Sequence, residues 1–287
     1  MGDGGGILSI QSAVAYGHVG NSAAVFPLQR LGFEVWPVNT VLFSNHTGYG
    51  AWRGRVVDLP WVEEILLGIA ERGALARTRA VLSGYLGDAG LGEVVLRAVA
   101  EVRGHRHDAL YVCDPVMGDE GRGFFVRPGI PEFFKGRAVP AADIVTPNQF
   151  ELAYLADMPI RSVEDALAAA AKVRAAGPKV VVCTSLDFGG GEGELGVLAD
   201  SAEASWAAWT PRLPVSLNGT GDAFTAIFLA HWLATGGGLE ATLGATVAAM
   251  YALVEATHEA GSRELVLVAA QERLVRPGRR FEVRGLR

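Results

Sequence analysis

A chain of 287 residues, half of them hydrophobic, is long enough for one large α/β domain or two small ones. A net charge of −6, with no basic run beyond the scattered Arg276, Arg279, Arg280, Arg284 and Arg287, argues against nucleic acid as a partner. Cys113 and Cys183 both sit in apolar strand-like runs, so they read as core residues of a reduced cytoplasmic protein rather than a disulfide or a zinc site.

Residues 1–6 carry an acid and no basic region, which predicts a flexible terminus and no signal peptide. Ile7 to Gln11 reads as a buried strand, Ser12 to Asn21 as a polar turn, Ser22 to Leu31 as a helix and Phe33 to Val38 as a second strand. This strand–helix–strand opening implies a right-handed crossover and a parallel sheet. Thr40 to Phe43 and Trp52 to Val57 resemble a pair of short strands around a polar, aromatic loop suited to a small-molecule rim. A helix is expected from Pro60 to Arg72, a strand over Ala80 to Ser83, a helix over Gly92 to Val102 and a strand over Ala109 to Cys113.

Val116 to Pro128 is glycine-rich with few apolar anchors and reads as a mobile flap. Asp143 to Thr146 is the next strand. Ser162 to Ala176 is a helix with Ser162 as N-cap and Asp165 in the capping-box position. Lys179 to Thr184 is a strand, followed by a glycine-heavy hairpin (Gly189 to Gly196) and antiparallel edge strands through Trp206 and Trp209. Ala223 to Leu239 is uncharged, but His231 and Gly236 to Gly238 favour a buried helix over a membrane span. Leu239 to His258 reads as another helix and Leu265 to Val268 as a last strand. With no repeat and no linker, residues 1–287 are read as a single doubly wound α/β domain.

In such a sheet, ligands lie beyond the carboxyl ends of the strands. The residues standing there are Ser12, Ser83 to Tyr85, Asp114, Thr146 with Asn148 and Glu151, Thr184 with Ser185, and the loop Asn218 to Phe224. Together they are hydroxyls, carboxylates and an amide, a hard-oxygen set suited to Mg²⁺, a monovalent cation and phosphates. The G-x-x-x-x-G-K-[ST] phosphate loop is absent. In Gly219-Thr220-Gly221-Asp222, two glycines ahead of an apolar helix offer backbone amides to an anion. Asp222 there is either a base that takes a proton from an attacking hydroxyl or an ordinary helix N-cap; the seven residues leave both open.

Several stretches, in order, resemble the pyridoxal kinase family. They are Ser9 to Ser12, Tyr16 to Ser22, Phe43 to Thr47, Leu82 to Tyr85, Cys113 to Asp119, Thr146 to Glu151 and Gly219 to Asp222. The resemblance runs from about Ile7 to the C-terminus and implies a ribokinase-like fold: a central, mostly parallel sheet with helices on both faces and small antiparallel edge strands. It implies an ATP-dependent kinase that makes pyridoxal 5′-phosphate. Asp222 would be the base, with the amides of Gly219, Thr220 and Gly221 as the anion hole. Ser12, Val19, His46, Thr47, Gly48 and Tyr85 would line the pyridine pocket, Ser12 meeting the ring nitrogen.

On the nucleotide side it implies Asp114 and Glu151 for Mg²⁺, Thr146 and Thr184 beside a monovalent cation such as K⁺, and Asn148 and Ser185 near ATP. Thr210, Pro211, Arg212 and Leu213 would cover the adenine and ribose, and Gly118 to Val126 would form the flap. A homodimer is implied as well. Plainer roles stand beside these: His46 as a hydrogen-bonded loop former, Tyr85 as packing, Asp119 and Glu120 as solvated charges. The sequence departs from the family at Leu213-Pro214, where a carboxylate is usual, at Asn218, where an apolar residue is usual, and in the glycine-rich Gly189 to Gly193. The alternative readings are a kinase of another small alcohol, such as hydroxymethylpyrimidine, and a weakly catalytic pyridoxal or pyridoxal phosphate binder.

Overall fold

The computed structural model describes residues 5–287, so the expectation for the terminus at 1–4 lies outside the described residues. The chain opens with β1 (Gly6–Val14), α1 (Asn21–Arg30), β2 (Glu34–Phe43), β3 (Gly54–Val56), α2 (Leu59–Glu71), β4 (Thr78–Ser83) and α3 (Ala89–His105). Next come β5 (Leu110–Cys113), β6 (Gly118–Asp119), β7 (Gly123–Phe124), α4 (Ile130–Phe133), α5 (Val139–Ala141), β8 (Ile144–Val145) and α6 (Gln149–Ala156). The last third holds α7 (Val163–Arg174), β9 (Val180–Leu186), β10 (Glu194–Asp200), β11 (Ser205–Pro211), α8 (Thr220–Thr235), α9 (Leu239–Glu259), α10 (Gln271–Val275) and β12 (Val283–Gly285).

Ten strands form one sheet in the order β12-β11-β10-β9-β8-β5-β4-β1-β2-β3. The six central strands, β9 to β2 in that order, pair in parallel, while β3 and β10 to β12 add antiparallel edges. Of the parallel strands, β1, β4, β5, β8 and β9 are largely buried on both faces, which is why they read as apolar runs, while β2 next to the edge keeps exposed positions. Alternate residues divide between two cores. Leu8, Ile10, Val81 and Tyr111 pack with Phe134 and Leu152 on one face. Ile7, Ala80, Leu82 and Val112 pack with Phe228, Leu229 and Leu253 on the other. The strand order reverses at β1, with β2 on one side and β4 on the other, so a crevice opens beyond their carboxyl ends.

Several local expectations are corrected. Thr40 to Phe43 is not a separate strand; it continues β2, so only the short β3 pairs back on it. Leu265 to Val268 is turn rather than strand, and the sheet ends instead on β12. β1 runs to Val14, so Ser12 stands inside a strand, where a register shift at Gln11/Ser12 re-aims it. The flap is better anchored than its glycines suggest: Met117 is fully buried, and Phe124 on the β6–β7 ribbon meets Phe150 and Tyr154 edge-on at 5.2 and 5.0 Å. Asp165 accepts from the Arg161 amide rather than from Ser162, so α7 has a serine cap without the reciprocal half of a capping box. One helix among the described residues, α9, is long and apolar enough to cross a membrane; two thirds of its most apolar stretch is buried inside the protein.

Asn21, 4 % exposed at the start of α1, ties the crevice end of β1 to β2. Its amide nitrogen donates to Val38 O (3.1 Å) and Asn39 Oδ1 (2.8 Å), and its oxygen accepts from Ser9 Oγ (2.7 Å). Asn21→Ala strands several of these buried partners, and should lower unfolding free energy by about 2–3 kcal/mol in urea titration. A loss below about 0.5 kcal/mol contradicts this assignment.

Candidate active site

The N-cap of α8 is Gly219, held at φ 81°, so Asp222 is not the cap; it sits at the third helical position. The first helical bond runs from Ala223 N to Gly219 O, so the amides of Thr220, Gly221 and Asp222 precede the bonded ladder. Gly219 is needed for a second reason: a Cβ there would lie 1.8 Å from the His18 carbonyl oxygen. Gly20, at φ 53°, is pressed in the same way against Ser12, where a Cβ would lie 2.1 Å from O and 2.5 Å from Oγ. Ser12, the 18–20 loop and the mouth of α8 are thus packed in series. Burial raises the pKa of Asp222, opposed by the Gly20 amide and its own amide.

Asp114 follows β5 and is 4 % exposed, with its amide bonded to Ser83 O and its Oδ2 buried without a hydrogen-bond partner. A Cβ on Gly221 would lie 3.7 Å from that oxygen, so Asp114 faces the glycine loop. Burial pushes its pKa well up, reinforced by the charges of Glu151 and Asp222 and opposed by the hydroxyls of Thr225 and Thr146. Those two hydroxyls meet at 2.8 Å, and Thr225 also donates to Gly221 O.

Glu151 has a role that its spacing announced and the sequence reading missed. Asn148 caps α6 and Glu151 completes a capping box, accepting from Asn148 N at 2.9 Å. Its other oxygen accepts from Met117 N (2.8 Å) and Gly118 N (3.4 Å), while Asn148 Nδ2 donates to Gly118 O, so this pair roots the flap. Burial lifts the Glu151 carboxyl to about 7 despite these amides.

Buried Asp114 and Glu151, with the charge of Asp222 felt at Asp114 and one Asp114 oxygen without a partner, fit a cation. Among the described residues no three His, Cys, Asp or Glu side chains converge as a ligand set. Mg²⁺ is commonly held by one or two carboxylates with water and substrate phosphates, a number Asp114 and Glu151 can supply.

Thr184 and Ser185 lie within β9 rather than after it, Thr184 bridging to Asn148 and bonded through its amide to Pro147 O. Ser185 has φ 62°, a left-handed conformation uncommon for serine. Thr210 and Pro211 end β11, and Arg212 N donates to Gly193 O at 2.7 Å; Leu213 is half-buried beside them. The glycine-rich hairpin is ordered by Trp209, whose indole donates to Phe188 O and against which Gly189, Gly190 and Gly196 pack.

Thr47 and Gly48 are exposed on a short 3₁₀ turn, and His46 before them is buried. A Cβ on Gly48 would lie 2.8 Å from Asn218 Nδ2 and 2.9 Å from His46 Nδ1, so this turn touches the residue that leads into the glycine loop. Val19 and Tyr85 are half-buried, and the Tyr85 phenol is raised by burial and lowered by Arg127 on the flap side. Glu264 was not anticipated and has no periodic or motif signal. It accepts from His46 Nε2, Tyr49 Oη and His18 N. An open depression of about 600 Å³ borders Tyr16, His18, Tyr49 and Glu264, but not Ser12, Asp114 or Asp222.

The family model described as phosphomethylpyrimidine kinase matches residues 71–266. The pyridoxal kinase PdxY of Rubrobacter xylanophilus is 61% identical over 288 residues, covering 99% of this chain and 99% of the relative. The PdxY protein of Leifsonia xyli is 51% identical, covering 96% of this chain and 98% of its own. The structure of pyridoxal kinase from Leishmania donovani in complex with ADP and pyridoxamine superposes with a TM-score of 0.91 at 32% identity, over 98% of this chain and 99% of that one. The chain belongs to the pyridoxal kinase family, with the ribokinase-like fold.

Proposed function

We propose that this protein transfers the γ-phosphoryl group of ATP to the 5′-hydroxymethyl of pyridoxal, giving pyridoxal 5′-phosphate. The observation that carries the reading is the packed series Ser12, Gly20, His18, Gly219, which sets the mouth of α8 against the loop bearing Val19, with Gly48 of the 46–48 turn against Asn218 beside it. In this reading Ser12, Val19, His46, Thr47, Gly48 and Tyr85 hold the ring. Asp222 accepts the hydroxyl proton as the oxygen attacks. The amides of Gly219, Thr220 and Gly221, ahead of the bonded ladder of α8, face the phosphoryl oxygens. Phosphoryl transfer needs in-line positioning and charge neutralisation more than covalent help, and these groups supply both.

Mg²⁺ held at Asp114, with Glu151 acting on it through water, would neutralise phosphate charge. Its support is the partnerless Asp114 oxygen. Thr146 and Thr184 would flank a monovalent cation such as K⁺. Asn148, Ser185 and the Thr210 to Leu213 segment would border ATP, with the β6–β7 ribbon as the cover. The free buried cysteines support a reducing, cytoplasmic setting, where ATP is also supplied. Exposed Leu42 and Trp52 beside the edge strand β3 support a homodimer.

The matching family model, described as phosphomethylpyrimidine kinase, keeps a pyrimidine alcohol such as hydroxymethylpyrimidine as a second reading. A coupled assay with each alcohol separates the two: pyridoxal should give the higher kcat/KM, and preference for the pyrimidine would reverse the assignment.

Asp222→Asn should lower kcat by at least about 10² with little change in pyridoxal affinity, the loss expected for a general base. Turnover within a few-fold of wild type removes Asp222 from that role, and no turnover by wild type makes the protein a binder.

Asp114 carries a raised pKa, so the folded metal-free protein binds more protons than the unfolded chain above the ordinary carboxylate range. Stability therefore falls as pH rises through that window. In metal-free buffer, Asp114→Asn should gain thermal stability relative to wild type as pH rises from the ordinary carboxylate range toward 7.5. Magnesium should raise the wild-type Tm at pH 7.5 and the variant's much less. A pH-independent difference, or equal magnesium shifts, contradicts the assignment.

A further inference from the structure

Glu264 lies outside every motif that carries the family resemblance, yet its carboxylate gathers three groups from the ring-holding half of the site. Oε1 accepts from His46 Nε2 at 2.9 Å and from the Tyr49 hydroxyl at 2.7 Å, and Oε2 accepts from the His18 amide at 2.9 Å. Gly17, at φ 91°, makes room for it: a Cβ there would lie 2.4 Å from Oε2. Ser262 holds the neighbouring backbone, its hydroxyl bonded to the carbonyl and amide of Glu264. Arg263 stacks over the Tyr49 ring at 4.7 Å, so consecutive residues of the same segment grip the 3₁₀ turn from two sides.

Burial would raise the Glu264 pKa, but Tyr49, the His18 amide and His46 outweigh it and hold it below the ordinary value. The group is therefore ionised at neutral pH and can only accept. His46 Nε2 must then carry a hydrogen, and in the neutral ring Nδ1 is left as a lone-pair acceptor. That atom is buried without a partner, on a residue 7 % exposed. It faces the space that a Cβ on Gly48 would fill, across from the Asn218 amide nitrogen.

We propose that Glu264 is a positioning residue for the vitamin-binding half of the site, fixing His46 as its Nε2–H tautomer and clamping the 16–20 and 46–49 loops together. The proposal rests on the kinase reading above for what those loops bind. Glu264 itself does not touch the reacting atoms; it acts through His46, Tyr49 and His18. Its hydrogen bonds go to the ring-holding loops, so its removal should loosen pyridoxal more than ATP even though the His18 carbonyl also packs on Gly219. The same carboxylate explains why His46 is buried on a rim of otherwise exposed residues.

Two readouts test this together. The first is long-range ¹⁵N–¹H correlation of the histidine rings in the substrate-free protein, which needs no catalysis. Wild type should show His46, assigned by His46→Gln, as the Nε2–H tautomer, and Glu264→Ala should show it redistributed. The second is steady-state kinetics. Glu264→Ala should raise KM for pyridoxal about tenfold while KM for ATP stays within about twofold and kcat within a few-fold. Glu264→Gln, which keeps one acceptor and the shape, should fall between wild type and alanine, and it serves in place of alanine if that variant does not fold.

An unchanged His46 tautomer overturns the proposal, as does an unchanged KM for pyridoxal. A parallel rise in both KM values also overturns it, because it marks a general structural role. If wild type turns over no pyridoxal, the kinase reading fails. The tautomer measurement, with pyridoxal affinity by direct titration, then decides the clamp independently.

Discussion

The contact on which the rest depends is that between the α-carbon of Gly219 and the carbonyl of His18. No side chain fits there, since a Cβ would overlap the oxygen at 1.8 Å. It joins the start of α8, late in the chain, to the loop between β1 and α1, near its beginning. Gly20 repeats the same logic one step further, against Ser12. These two glycines bring a helix mouth with unpaired amides onto the crevice at the sheet's reversal point. The surfaces that would take the phosphoryl group and the ring in the proposed reading become neighbours for that reason, although some two hundred residues separate them.

The second constraint is charge. Burial raises the pKa of Asp114, Glu151 and Asp222 alike, and the charges of Glu151 and Asp222 push Asp114 up further. The fold spends hydrogen bonds on this arrangement unevenly. Glu151 is satisfied by three amides and roots the flap, whereas Asp114 keeps an oxygen without a partner. A carboxylate held in that state is costly unless a cation compensates it. Glu151 thus carries a structural duty, and the chemical duty proposed for the pair falls to Asp114.

Much of this was legible in the sequence. Most of the parallel strands announced themselves as apolar runs, because they are largely covered on both faces, and the Gly219 to Asp222 loop could be recognised from its glycines and the helix after it. What escaped detection was local competition between patterns. β2 read as two strands because Pro37 and Asn39 interrupt its apolar run, although burial against both neighbours carries it through. The spacing of Asn148 and Glu151 fitted a capping box, but the chemistry of the residues drew attention away from α6. Leu265 and Leu267 suggested a strand, yet both are buried in a turn beneath α9 and α10. Glu264 could not be found from sequence at all, since its partners His18, His46 and Tyr49 come from the far end of the chain and only tertiary packing brings them together.

The most direct test of the central claim is a crystal structure with pyridoxal and a non-hydrolysable ATP analogue bound together. The account predicts an Asp222 carboxylate oxygen about 2.6–3.2 Å from the 5′-oxygen of the vitamin, with the γ-phosphoryl group over the Gly219 to Gly221 amides. A 5′-oxygen separated from Asp222 by more than a bridging water, or a phosphoryl group bound away from those amides, would contradict it.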